Sequence, residues 1–168
     1  MTNSIKTFSN YFAILLLTSF LAACATAPTE TTSSTSTSQS QVVGGVYVGT
    51  ETIEMLAVDV PDRVFFAYDS YSLAASAQTT LNKQVKWLKA NPSVAIAVEG
   101  HADERGTREY NLALGDRRAS SVKDYLMSQG ISSNRISTIS YGKERPVKSG
   151  SNDTAWAQNR RSVSVRTN

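Results

Sequence analysis

The chain has 168 residues, of which 40% are hydrophobic and 18% are charged, and its formal net charge is +3. This length and composition indicate one globular domain with a tail, and they exclude a largely disordered chain. The net charge is small, and no run interleaves Lys or Arg with aromatic residues, so the sequence argues against a nucleic-acid-binding protein.

Residues 1–23 are predicted to be a secretory signal peptide. Lys6 precedes an apolar run at residues 11–21, which is shorter than the roughly 20 apolar residues needed to span a bilayer. The run leads into Leu21-Ala22-Ala23-Cys24, which resembles the lipobox of bacterial lipoproteins. We therefore expect Cys24, the one cysteine of the chain, to carry acyl chains such as palmitate and to attach the protein to a membrane. The alternative is a free cysteine beside an ordinary cleavage site.

Residues 24–41 are predicted to be the lipidated cysteine followed by a flexible tether. Eleven of the seventeen residues from 25 to 41 are Ser or Thr, a composition that cannot build a core. A coil of this length averages roughly 23 Å from end to end, so the domain is expected to act close to its membrane. In lipoproteins an Asp after the lipidated cysteine favours the inner membrane. Here that residue is Ala25, which implies the periplasmic face of the outer membrane.

Residues 42–62 are predicted to be an accessory segment of undecided structure. Val46-Tyr47-Val48 is typical of a strand, whereas residues 53–58 fit a short helix or a strand equally well.

Residues 63–168 carry the clear periodicities and are predicted to form the functional domain. Residues 63–68 are aromatic and β-branched, as in a strand, and Ser72 is the predicted N-cap of a first helix that ends before Asn91-Pro92. Its predicted core stripe is Leu73, Ala77, Leu81, Val85 and Leu88.

A second strand, residues 94–98, leads to a second helix with Thr107 as N-cap and an end near residues 129–130. Its predicted core stripe is Leu112, Gly115, Ala119, Val122 and Leu126, with Gly115 allowing a close approach to the sheet. Strands at 136–141 and 162–166 flank a short helix near 154–157. The order βαβαββ predicts an α/β two-layer sandwich, a mixed β-sheet with both helices packed on one face.

The segment Glu99–Val122 holds the chain's only histidine, His101. A metal site would need several converging ligands, and a hydrolase would need an activated nucleophile or two carboxylates in a pocket. Neither pattern is evident, so no metal, cofactor or catalytic residue is predicted. His101 is expected to be structural, hydrogen-bonded to backbone in the loop.

Opposite charges are instead predicted to converge near the start of the second helix. Asn111 and Arg118 lie two turns apart on one helix face, and Asp103 lies in the preceding loop. A carboxylate, a guanidinium and helix-terminal amides could recognise a zwitterion. The alternative is an internal Asp–Arg ion pair that fixes the loop. Asp103 and Arg118 are expected at the surface, outside the core stripe.

Four segments, Glu99–Thr107, Tyr110–Ala119, Ser140–Pro146 and Asn159–Arg161, resemble the OmpA-like domain of peptidoglycan-associated lipoproteins. The resemblance covers residues 63–166. It implies that Asp103 and Arg118 bind diaminopimelate in cell-wall stem peptides, with secondary contacts from Asp69, Tyr110 and Asn111 and an apolar wall at Leu114. The sequence departs from the family at Ala67, where an acid is frequent. Arg117, Arg160 and Arg161 are left open between ligand contact and structural pairing.

The resemblance also implies a function. It predicts a non-enzymatic lipoprotein that anchors the outer membrane to peptidoglycan and acts with the Tol proteins TolA and TolB in cell division and envelope integrity. Two alternatives are an OmpA-like stator or adhesin module and a cell-wall hydrolase.

Overall fold

The structure is a computed structural model that describes residues 41–50 and 54–168. The predicted signal peptide, Cys24 and the tether up to residue 40 lie outside the described residues. Within the described part, none of the helices has the length and apolar character that crossing a membrane requires.

The accessory segment forms two small antiparallel hairpins. Strand β1 (Val42–Val43) pairs with β2 (Val46–Tyr47), and β3 (Met55–Ala57) pairs with β4 (Val60–Pro61). Of the two alternatives for residues 53–58, the described residues therefore adopt a strand. The turn of the first hairpin, Gly44-Gly45, has φ values of 58° and 76°, which favour glycine.

The first hairpin packs on the main domain. Tyr47 is only 2% exposed, and its ring meets that of Phe65 edge-on, with 4.8 Å between centroids.

A four-stranded mixed sheet organises the main domain. Its strands are β5 (Arg63–Phe65), β6 (Ile96–His101), β7 (Ile136–Gly142) and β8 (Arg161–Arg166), in the order β5-β8-β6-β7. β6 is parallel to β7 and antiparallel to β8, and β8 is antiparallel to β5. The α/β fold class with a mixed sheet is confirmed.

Three α-helices complete the domain: α1 (Ala75–Ala90), α2 (Arg108–Ser128) and α3 (Asp153–Asn159). A 3₁₀ turn at Ser133–Arg135 precedes β7. One buried cluster joins α1 and α2 to the same face of the sheet, and its members include Val64, Phe66, Ala77, Leu81, Leu88, Ile96, Val98, Ala119, Val122 and Leu126. The two-layer arrangement follows from this shared core.

The predicted start of α1 at Ser72 is wrong. The helix begins at Ala75, and its N-cap, Ala74, makes no side-chain hydrogen bond. The carbonyl groups of Ala67 and Ser70 instead accept hydrogen bonds from the Arg118 guanidinium. Ser72 therefore lies in an irregular segment between these contacts and the start of the helix.

The predicted close approach at Gly115 is confirmed. A Cβ atom added at Gly100 of β6 would lie 1.8 Å from the carbonyl oxygen of Gly115, and one added at Gly115 would lie 2.9 Å from that of Gly100. Neither position has room for a side chain, so α2 lies directly on β6 beside the loop that joins them.

Candidate functional site

The loop between β6 and α2 borders a small pocket, here called the β6–α2 pocket. Its volume is about 140 Å³, and its lining residues are Tyr68, Asp69, Asp103, Arg105, Gly106, Tyr110, Asn111, Leu114, Arg118 and Arg160. All six residues predicted from the sequence to contact a ligand therefore lie around one pocket.

Thr107 positions the helical side of the pocket. Its hydroxyl oxygen accepts a hydrogen bond from the backbone N–H of Tyr110, which confirms the predicted N-cap of α2. The buried face of α2 carries Asn111, Leu114 and Arg118. The Asn111 amide donates to the carbonyl of Arg105 at 2.8 Å, so the helix start and the loop are joined.

Arg118 lies at the bottom of the pocket and is fully buried, with 0% of its surface exposed. Its guanidinium donates to the carbonyls of Ser70 (2.8 Å), His101 (2.8 Å) and Ala67 (3.1 Å). Burial lowers the pKa of Arg118 to about 10, so the group is still charged at neutral pH. A guanidinium has five N–H donors, and those not given to carbonyls can bind an anion.

Asp103 is also buried, at 4% exposed. Arg105 donates from Nη2 to Oδ2 at 2.7 Å and from its backbone N–H to Oδ1 at 3.1 Å, and Arg160 donates to Oδ2 at 3.2 Å. Burial raises the pKa of the Asp103 carboxyl, but the hydrogen bonds from Arg105 and Arg160 more than offset it, and the net pKa is lower than usual.

The expectation that both side chains lie at the surface is therefore wrong. Asp103 and Arg118 are buried, because arginine side chains surround the Asp103 carboxylate and backbone carbonyls surround the Arg118 guanidinium. The internal ion pair exists for Asp103, but its partners are Arg105 and Arg160, since Arg118 is bonded to backbone carbonyls.

Arg105 covers the pocket on its open side. Its guanidinium carbon lies 4.2 Å from the ring centroids of both Tyr68 and Trp156, a cation–π sandwich. The Arg105 side chain is 34% exposed, whereas that of Arg160 is 6% exposed. Arg105 is therefore the arginine at Asp103 that can most readily move aside.

Arg160 links the pocket to the first hairpin. Besides Asp103, it donates to the carbonyl of Phe66 at 3.1 Å and to that of Gly45 at 2.7 Å. Burial lowers the pKa of Arg160, and the hydrogen bond that Arg160 donates to Asp103 partly compensates.

Asp69 and Tyr110 form the outer rim of the pocket. The Tyr110 hydroxyl donates to the Asp69 carboxylate, and Asp69 adopts a positive φ of 49°. Both residues are exposed, so Asp69 offers an acceptor that a ligand can reach from solvent.

Sequence reasoning missed Tyr68, Arg105 and Gly106 as lining residues, and it left Arg160 open between ligand contact and structural pairing. Arg105 carried a local signal, because a loop residue two positions after Asp103 can reach its carboxylate. Arg160 carried no local signal, since tertiary folding alone brings it to a carboxylate 57 positions away, and only the resemblance of Asn159–Arg161 drew attention to it.

His101 lies at the end of β6, not in the loop, and is 1% exposed. The predicted hydrogen bond between the His101 ring and the backbone is wrong. Nε2 contacts the Glu99 carboxylate at 3.3 Å, and Nδ1 has no partner among the described residues. Burial is the main cause that lowers its pKa to about 3. Within residues 41–50 and 54–168, no group of three or more His, Cys, Asp or Glu residues is placed to hold a metal ion.

Comparison of sequences shows what this chain is similar to. A profile of the OmpA family matches residues 65–160. The peptidoglycan-associated lipoprotein of Brucella melitensis is 58% identical over 108 residues, which are 64% of this chain and 64% of that protein. That of Pseudomonas aeruginosa is 50% identical over 97 residues, 58% of this chain and 57% of that protein. The matched segment therefore spans less than two thirds of either relative.

Comparison of structures supports the same assignment. The crystal structure of the peptidoglycan-associated lipoprotein from Burkholderia pseudomallei has a TM-score of 0.62 and 42% identity, over 63% of this chain and 90% of that chain. The C-terminal domain of Helicobacter pylori MotB has a TM-score of 0.59 at 21% identity, over 64% of this chain and 84% of that chain, and it shows the fold alone. Since the family profile matches more than half of its residues, the chain belongs to the OmpA family.

Proposed function

We propose that this chain is an outer-membrane lipoprotein that binds peptidoglycan non-covalently through diaminopimelate in stem peptides. It anchors the outer membrane to the cell wall without catalysing a reaction, and it acts with TolA and TolB of the Tol system. The similarity to peptidoglycan-associated lipoproteins supports the role in the envelope. The β6–α2 pocket supports the ligand.

The observation that carries the proposal is the pairing of opposite charges around a pocket of about 140 Å³. The free end of diaminopimelate is a zwitterion, with an ammonium and a carboxylate on one carbon. Arg118 and the amides at the start of α2 would bind the carboxylate. Asp103 would accept the ammonium, with Asp69 as a second acceptor at the rim.

Binding to Asp103 requires a rearrangement of Arg105. Arg105 already donates to both carboxylate oxygens of Asp103 and Arg160 donates to Oδ2, so an ammonium must replace one of these two arginines. The more exposed Arg105 leaves its place, and Arg160 stays because two backbone carbonyls also hold it. Tyr110, Asn111 and Leu114 complete the walls around the bound amino acid.

The proposed organisation of the chain follows from this role. Residues 1–23 are a signal peptide that is removed, and residues 24–41 are a lipidated cysteine and tether. Residues 42–62 are an accessory segment, and residues 63–168 bind the wall. Labelling with a fatty acid tests the anchor: the Cys24→Ser chain should incorporate none, and label retained on this variant would contradict it.

Co-sedimentation of the full-length chain with purified sacculi tests the ligand. Asp103→Asn should weaken binding by about ten- to a hundredfold, because a hydrogen bond between charged groups contributes roughly 1.5–3 kcal/mol. The matched control is Asp116→Asn, which removes an exposed acid from the same stretch of sequence and should bind as the parent does. Free meso-diaminopimelate should compete with the sacculi for the parent chain and so reduce its sedimentation.

Unchanged binding by Asp103→Asn, with no competition by diaminopimelate, would contradict the proposed ligand. The same incubation separates a binder from a hydrolase. A binder leaves the sacculi intact, whereas release of soluble muropeptides that depends on the protein would establish the enzymatic alternative.

A further inference from the structure

The face of the sheet opposite the helices has a concavity of its own. Ser164 of β8 faces α1, because its hydroxyl donates to Gln84 at 2.9 Å. Side chains alternate along a strand, so Arg161 and Val165 lie on the opposite face. They border an open concavity of about 960 Å³ together with Met55, Arg63, His101 and Arg145, and the exposed Arg166, at the end of β8, lies at its rim. We call it the basic concavity.

Four arginine side chains and three acidic side chains line the basic concavity, and within the ranges that the structure describes these acids form ion pairs only with Arg63 and His101. Its acidic side chains are Glu54, Asp62 and Glu99. The Asp62 carboxylate binds Arg63 in a bidentate manner, with both distances 2.7 Å, and Glu54 also contacts Arg63, at 3.4 Å. Glu99 contacts His101. Among the described residues, no acidic side chain forms an ion pair with Arg145, Arg161 or Arg166.

Two buried nitrogen atoms in this concavity lack hydrogen-bond partners. Arg161 is 6% exposed and His101 is 1% exposed, and Nε of Arg161 and Nδ1 of His101 have no partner in the described part of the chain. The Arg161 guanidinium is held by the carbonyls of Asn159 at 3.4 Å and Arg145 at 3.1 Å. Both distances exceed the usual 2.9–3.0 Å, so a carboxylate could replace these acceptors with a gain in hydrogen bonding.

The electrostatics of the buried histidine report the positive charge of the arginines. After burial, the causes that lower the pKa of His101 to about 3 are the positive charges of Arg161, Arg145 and Arg63. Burial likewise lowers the pKa of Arg161 to about 10, and Arg63 contributes further. A ligand with negative charge would relieve both effects.

Shape and apolar surface favour a peptide as this ligand. Met55 and Val165 are 61% and 40% exposed, so apolar side chains lie beside the arginines. A small carboxylate would fill little of a concavity this large, and a flat bilayer surface would not enter it. We propose that the basic concavity is a docking surface for an extended acidic segment of a protein partner, with one carboxylate of that segment bound by Arg161.

Binding of a synthetic peptide to the purified full-length chain tests this surface. The probe is a capped octapeptide of alternating Glu and Val, and its matched control has Lys in place of Glu. Arg145 and Arg166 are exposed, so Arg145→Gln and Arg166→Gln should fold normally and bind the acidic peptide about tenfold more weakly. Lys86→Gln, which removes an exposed positive charge from α1, should bind as the parent does. Binding to sacculi should be the same for all three variants.

Four results would overturn the proposal. The first is equal affinity of Arg145→Gln, Arg166→Gln and Lys86→Gln for the acidic peptide, and the second is that the parent binds the Lys peptide as tightly as the acidic one. The third is that propionate binds as tightly as the acidic peptide, and the fourth is that the chain binds phosphatidylglycerol vesicles but not the peptide. A loss of sacculus binding without a loss of peptide binding would contradict only the proposed wall-binding function.

Discussion

The β6–α2 pocket and the basic concavity both contain a buried arginine, but they hold it differently. Arg118 is 0% exposed and donates to three backbone carbonyls. Arg161 is nearly as buried, at 6% exposed, yet it has two long contacts and an unpartnered Nε. The comparison shows that two buried arginines can differ in how far the fold satisfies their hydrogen bonds, so Arg118 should contribute more to stability than Arg161 does.

Replacement of the two arginines is the most direct way to break this comparison. Arg118→Met leaves three carbonyls, one of them fully buried, without this donor and should lower the free energy of unfolding by about 3–5 kcal/mol. Arg161→Met removes a buried charge with few bonds and should change it by less than about 1 kcal/mol. Urea denaturation of both variants, with m-values compared, measures the difference. Equal destabilisation would mean that the two sites do not differ in this way.

The pH dependence of stability tests the buried histidine of the basic concavity, His101. The folded chain keeps His101 neutral down to about pH 3, whereas the unfolded chain protonates it below about pH 6.5. The free energy of unfolding should therefore fall as the pH decreases from about 6.5 towards 4.5, with a slope approaching ~1.4 kcal/mol per pH unit. His101→Gln should lose this contribution. An unchanged slope in the variant would contradict the low pKa.

Of the two regions, only the β6–α2 pocket includes the start of α2, where Thr107 is the N-cap. Thr107→Ala removes the acceptor for the Tyr110 N–H and should cost about 1 kcal/mol of stability. It should also weaken binding to sacculi, because the start of the helix frays, while binding of the acidic peptide stays unchanged. The control is Thr79→Ala, within α1, where the hydroxyl donates to the carbonyl of Ala75. If the two threonine variants are equally stable, Thr107 does not act as a cap.

An exposed ion pair outside both regions provides the baseline. Arg108 and Glu144 are 3.3 Å apart, with side chains 64% and 47% exposed. Glu144→Gln should change the free energy of unfolding by no more than about 0.5 kcal/mol, and the change should shrink in 1 M salt. A larger effect that resists salt would show that surface pairs in this protein behave as buried ones do.

Local patterns predicted much of the fold and part of the site. Thr107 as N-cap and the common face of Asn111 and Arg118 depend on helix geometry alone, so spacing was sufficient. The close approach at Gly115 followed from a glycine in an apolar stripe. The parallel pairing of β6 with β7 required the structure.

What the sequence missed depends on tertiary contacts. Ser72 has the chemistry of an N-cap, but the helix begins only at Ala75, and the segment before Ser72 is bound to Arg118 through the carbonyls of Ala67 and Ser70. Arg160 reaches Asp103 and Gly45 from a distant part of the chain. Burial of Arg118 could not be predicted either, because a charged residue on a helix is usually exposed.

The strand order also has a consequence for the timing of folding. In the sheet, β8 lies between β5 and β6, and it pairs Val163 with Arg63, a residue made about a hundred positions earlier. A growing chain can join β6, α2 and β7 through shorter loops, but β5 has no strand beside it until β8 is synthesised. Until then the edge of β6 that β8 will cover is open to wrong partners. Pairing of β8 with β5 and β6 is therefore the step that completes the sheet, and delay at that step exposes the chain to proteolysis and aggregation.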